Sequence, residues 1–135
     1  MTKGSMSNEQ AFAMQPLALA FIGDAVFELY VREHVLERGY RTVNIMHREA
    51  IKYVSAGSQA RAFGSIAPLL DERELEIIRR GRNAHPHTVP KNAEIADYRL
   101  ATALEALFGY HWLCGNDARL DELVRVIFTH IDEGE

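Results

Sequence analysis

The feature that most constrains this chain is residues 17–31, LALAFIGDAVFELYV, in which Asp24 and Glu28 are the only charges. At about 100° per residue, Leu17, Ala20, Phe21, Phe27 and Val31 fall within roughly 60° of Asp24 on a helix. Leu19, Ile22, Val26 and Leu29 fill the opposite side, so the helix is apolar almost all round and is expected inside a protein. A carboxylate buried in such a stripe needs a cation or strong hydrogen-bond donors. The question the sequence poses is what partners Asp24.

The 135 residues, 47% hydrophobic, suffice for one compact domain with a real core. Gly4-Ser5-Met6 has the look of a cloning junction, so residues 1–6 are set apart as a disordered leader and residues 7–135 are taken as the domain. No apolar run approaches the roughly 20 residues of a membrane span, and the lone Cys114 fits a reducing cytosol. The net charge of −4 does not itself point to nucleic acid. Its distribution does more: residues 77–93 hold Arg79, Arg80, Arg82 and Lys91 with no acid, and no aromatic to stack on bases. Such a segment is either a solvated basic surface or one suited to backbone contacts and duplex shape. His85 and His87 lie in it, with no further ligand at zinc spacing.

Nearly every segment reads as helix, and the fold class is all-α. The first helix is expected over residues 17–37, opened by Pro16 and closed by Gly39. A second starts after Asn44, and a third covers residues 58–66 and ends at Pro68. Asp71 and Glu74 form a capping box for a fourth, with Gly81 as its stop. Residues 82–92 read as a loop, Asn92 caps a long helix over residues 93–113, and a last amphipathic helix covers residues 120–131.

The long helix mirrors the first. Within about 60° of Glu105 lie Tyr98, Ala101, Thr102, Phe108, Gly109 and Trp112, so a second carboxylate sits in an apolar stripe. One such acid is readily satisfied by an arginine or a helix N-terminus. Two acids on two buried helices repel unless a cation neutralises both, and a shared Mg²⁺ does so economically. Glu94 precedes Glu105 by eleven residues, roughly 16 Å along a straight helix, so it joins them only if the chain bends near Ile95 or Asp97. Otherwise it is a first-turn acid favoured by the helix dipole. Glu28 is either a helper of Asp24 or a partner for Arg32.

IGDAVFELYV at residues 22–31, followed by ALEALFGYHWL at residues 103–113, resembles the catalytic domain of the ribonuclease III family, which reads LEFLGDA and DxFEALIGA. RRGRNA at residues 79–84, TVPKN at residues 88–92 and Phe21 before IGDA extend the likeness to its Mini-ribonuclease III branch, which has no double-stranded-RNA-binding domain. The similarity spans roughly residues 17–115. Two family carboxylates are missing: their positions fall on Ala20 and Thr102. Glu94 is the candidate to restore a ligand.

The resemblance implies a homodimeric helical endonuclease domain that hydrolyses double-stranded RNA with Mg²⁺. Asp24 and Glu105 would be the catalytic, metal-holding pair, with Glu94 as a further ligand and Arg79, Arg80, Arg82 and Lys91 on the RNA. The implied natural substrate is precursor of large-subunit (23S) ribosomal RNA in the cytoplasm, with ribosomal proteins on that RNA as further partners. A symmetric dimer would also bury the surplus apolar face of the first helix. The rival is a catalytically silent helical RNA-binding or ribosome-assembly module. It has no use for two buried acids.

Overall fold

The structure, a computed structural model, describes residues 3–84 and 94–134. Among the described residues, seven α-helices follow in order: α1 (Asn8–Phe12), α2 (Pro16–Glu37), α3 (Val43–Val54), α4 (Ala56–Ile66), α5 (Glu72–Asn83), α6 (Ile95–Cys114) and α7 (Asp117–Glu133). A 3-10 turn, Ala67–Leu69, carries the chain past Pro68, and no strand occurs among the described residues.

α6 is the central element. It packs against α2, α5 and α4 most extensively and also touches α1 and α7. Its residues from Ala101 to Leu104 and from Ala106 to His111 are buried without a break, as an apolar helix enclosed by neighbours should be. Phe108 stacks on Phe27 of α2 with ring centroids 5.0 Å apart, a contact that fixes the rotation of one helix against the other.

The crossing of α2 and α6 rests on two glycines. A Cβ on Gly23 would lie 1.6 Å from the Glu105 carbonyl oxygen, and one on Gly109 would lie 2.0 Å from that of Leu19. Each backbone fills the space that the other glycine leaves open. Gly81 works similarly: it does not stop α5, which continues to Asn83, and its missing Cβ lets Ala103 approach.

The Asp71–Glu74 capping box forms as expected, with the Glu74 amide donating to Asp71 Oδ1 at 2.8 Å and the Asp71 amide donating to Glu74 Oε1 at 2.9 Å. Glu74 does more than cap. It is 2% exposed, and Arg119 of α7 donates to both its oxygens at 2.7 and 2.8 Å. His111 Nε2 of α6 meets Oε2 at 2.8 Å, so one carboxylate ties three helices together. Burial raises its pKa, but the Arg119 and His111 hydrogen bonds and the Asp71 amide outweigh it and hold the group well below its usual 4.5. A depressed carboxyl pKa stabilises the fold above the unfolded value, and that stability is lost as pH falls below about 4.5. Glu74→Ala strands the buried His111 and the part-exposed Arg119. It is expected to cost about 3 kcal/mol and to flatten the acid limb of stability against pH, both read by thermal unfolding from pH 3 to 7.

Two expectations change at the N-terminus. Residues 3–6, set apart from the fold, lie against the end of α6. The Gly4 and Met6 amides donate to the Trp112 and Leu113 carbonyls, each at 3.0 Å, and Lys3 pairs with Asp117 at 3.2 Å. Carbonyls at a helix C-terminus lack intrahelical donors, and this segment supplies them. The short α1, not anticipated, starts in a capping box between Ser7 and Gln10. Arg80 Nη1 and Nη2 then donate to the Phe12 and Met14 carbonyls at 2.6 and 2.9 Å, fastening α1 to α5.

Candidate active site

Asp24 follows Gly23, and the backbone of Gly23 lies against the Glu105 carbonyl. The glycine crossing therefore brings the two acids together. The Asp24 charge acts on the Glu105 carboxyl across that crossing. The environment of Asp24 differs from the sequence expectation: it is exposed, while Glu105 is half-buried. α2 buries Leu19, Ala20, Gly23, Val26, Phe27, Val31 and Val35 but leaves Leu17, Phe21, Leu29 and Leu36 in solvent. An all-round apolar pattern cannot say which side is covered, and Asp24 stands at the edge of the open side.

Burial first, and the Asp24 carboxylate beside it second, push the Glu105 carboxyl up to about 8. The charge of Glu28 adds to this, and a hydrogen bond from Gln59 opposes it. Glu28 itself pairs with Arg32 at 3.7 Å. Two neighbouring acids, one of them reluctant to ionise, form a site in want of positive charge.

The other candidates are placed less favourably. α6 begins at Ile95 without a bend, so Glu94 sits at its N-cap, about 16 Å along the helix axis from Glu105, and is not brought to the pair. Thr102, at a position where the resemblance puts a carboxylate, is buried and donates its hydroxyl back to the Tyr98 carbonyl at 3.0 Å. Ala20 is buried as well. Among the described residues, no group of three or more His, Cys, Asp or Glu stands together as a metal cluster. In the basic segment, Arg79 pairs with Glu76 at 2.6 Å, Arg80 is engaged by α1 carbonyls, and Arg82 is exposed. Lys91, His85 and His87 lie outside the described residues.

Sequence reasoning missed Gln59. This α4 residue is 3% exposed and donates from Nε2 to Glu105 Oε2 at 3.4 Å. Nothing in its local sequence signals this, because the contact depends on how α4 docks on α6.

A helical domain whose central pair of crossing helices presents GDA and ALEAL acids to one another is of the ribonuclease III kind, and residues 17–116 match the ribonuclease III domain. The Mini-ribonuclease 3 of Symbiobacterium thermophilum is 45% identical over 122 residues, covering 90% of this chain and 94% of that protein. The Mini-ribonuclease 3 of Brevibacillus brevis is 47% identical over 120 residues, covering 89% of each. A crystal structure of a Fusobacterium nucleatum protein superposes with a TM-score of 0.79 at 29% identity, covering 87% of this chain and 93% of that one. The chain belongs to the ribonuclease III family, in its Mini-ribonuclease III branch, and is an endoribonuclease of that type.

Proposed function

We propose that the chain cuts double-stranded RNA internally with Mg²⁺, as a cytoplasmic homodimer, and that its natural substrate is precursor of large-subunit (23S) ribosomal RNA carrying ribosomal proteins. The observation that carries the catalytic part is the glycine crossing, which sets Asp24 beside Glu105. The choice of RNA follows from the resemblance to the Mini-ribonuclease III branch.

The donor set fits a hard divalent ion, which commonly takes one or two carboxylates and fills its remaining positions with water and substrate phosphate. Asp24 and Glu105 would hold it, and its positive charge would offset the crowding of the two acids. When bound, Mg²⁺ supplies a positive centre for a water nucleophile and for charge on the phosphate and leaving oxygens. Asp24, exposed, faces the side from which RNA arrives, and Glu105 is fixed by burial on α6. Glu94, kept as a lower-ranked ligand, would have to reach the pair by movement at the start of α6. Arg79, Arg82 and Lys91 would meet backbone phosphates, and Arg80 would hold the platform from which they project. Cleavage of a long RNA duplex with Mg²⁺, against single-stranded RNA and against chelated metal, tests the reading. A wild-type chain that leaves the duplex intact refutes it.

The open face of α2 supports the dimer. Phe21 is 86% exposed, Leu29 54% and Leu36 60%, more apolar surface than an isolated helix face normally leaves in water. The same face runs into a groove of ≈ 370 Å³ between α2 and α3, lined by Arg32, Val35, Leu36, Met46, Ala50 and Val54 among others. A two-fold axis across α2 would deliver Phe21 of each copy to the groove of the other. Phe21→Glu is expected to give a 15.3 kDa species where wild type runs at twice that mass. Light scattering decides, and a wild type that stays at 15.3 kDa on concentration refutes the dimer.

A further inference from the structure

We infer that Gln59 is a positioning residue for the metal-holding pair, presenting one neutral N–H to Glu105 and holding its carboxylate towards Asp24. This deepens the nuclease reading and rests on it.

Geometry fixes the orientation of the amide. Nε2 lies 3.1 Å from the Val54 carbonyl, which can only accept, so the nitrogen rather than the oxygen must face that way. Its second N–H is then the one directed at Glu105 Oε2, 3.4 Å away. Gln59 is the one side-chain donor to Glu105 among the described residues, the other near groups being the acids Asp24 and Glu28.

Packing does not explain a glutamine here. Gln59 is 3% exposed, and its Oε1 is buried with no hydrogen-bond partner among the described residues. A buried acceptor left unpaired costs stability, and an apolar side chain of the same shape would remove that cost. What the amide offers instead is a fixed donor of zero charge. A lysine or arginine at this place would neutralise Glu105 and compete with a cation. A neutral N–H orients the carboxylate and leaves its charge for the ion, as outer-shell partners of metal ligands do.

Gln59→Met keeps the length and removes the amide. The expected result has three parts: an unfolding midpoint equal to or above that of wild type, a Mn²⁺ dissociation constant about tenfold weaker, and kcat on duplex RNA about tenfold lower at unchanged KM. Mn²⁺ binding is measured by electron paramagnetic resonance on the RNA-free protein. Mn²⁺ affinity and kcat within twofold of wild type overturn the inference. So does a rise in KM at constant kcat, which would make Gln59 an RNA contact. A lowered midpoint, with affinity and kcat recovering at temperatures where the variant is fully folded, overturns it as well, because the role is then packing. Should Gln59→Met not fold, Gln59→Leu is judged on the same readings, and failure of both to fold is also fatal. The Mn²⁺ reading needs no RNA. A wild type that cuts no duplex defeats the nuclease proposal alone, and unaltered Mn²⁺ affinity in the variant defeats this one alone.

Discussion

Asp24→Asn and Glu105→Gln are each expected to lower cleavage of a long RNA duplex by about a thousandfold or more while leaving the fold intact. Each change is isosteric and takes one carboxylate ligand from a pair that the glycine crossing sets side by side. A carboxylate that holds a Lewis-acidic ion contributes several kcal/mol of transition-state stabilisation, and each 1.36 kcal/mol is tenfold in rate. The two variants should nonetheless unfold at or above the wild-type midpoint in metal-free buffer. Asp24 is exposed, and Glu105→Gln relieves crowding with Asp24 while keeping an oxygen to accept from Gln59. Loss of activity without loss of stability separates a metal-holding pair from a structural one. Single-turnover cleavage alongside thermal unfolding makes the measurement. Variants that cut at wild-type rate would remove Asp24 and Glu105 from the site, and a wild type that cuts only single strands would remove duplex RNA as the substrate.

Apart from the short α1, the helices were legible because their signals are local. Pro16 opens α2, the Asp71–Glu74 box opens α5, and Gly39 follows the end of α2 with a left-handed φ of 75°. Asp24 and Glu105 stood out in the sequence as acids in largely apolar stripes, and the crossing of α2 and α6 sets them near one another. What failed depends on which side of a helix meets which neighbour. The sequence of α2 shows apolar residues all round, but only packing reveals that Phe21 faces solvent and that Asp24 stands beside that open face. Gly81 read as a stop and proved to be a place where α6 comes close. Glu74 read as a cap, since nothing nearby announces His111 and Arg119 arriving from 37 and 45 residues away. Gln59 is the clearest case. A lone glutamine in a helix carries no pattern, and its meaning lies wholly in the distance to Glu105.

Gly23→Ala is expected to damage both fold and activity more than any other single-methyl change. The added Cβ would sit 1.6 Å from the Glu105 carbonyl oxygen, 2.6 Å from its carbonyl carbon and 2.8 Å from the Gly109 nitrogen. All three are backbone atoms of a buried helix, so no side chain can rotate away. Relief requires α2 and α6 to separate, and that separation loosens the Phe27–Phe108 stack and opens voids around Leu19 and Leu104, each 1% exposed. Ordinary overpacking costs about 1–3 kcal/mol; a clash of backbone with backbone at the centre of the domain should exceed about 4 kcal/mol, among the largest single-residue losses. Better helix propensity for alanine returns only about 1 kcal/mol. The chemistry suffers for the same geometric reason, since the crossing that holds Gly23 on Glu105 also sets Asp24 against it. Fraction folded at 25 °C and duplex cleavage per folded molecule should therefore both fall, the second by at least a factor of ten, because a shift of about 1 Å in reacting groups costs about a hundredfold. Gly39→Ala is the control. Gly39 lies beyond the end of α2 with nothing within 4 Å of a built Cβ, so its left-handed φ of 75° alone sets the cost there. Equal losses at Gly23 and Gly39 would show that backbone conformation, and not the close approach of α2 to α6, is what glycine provides.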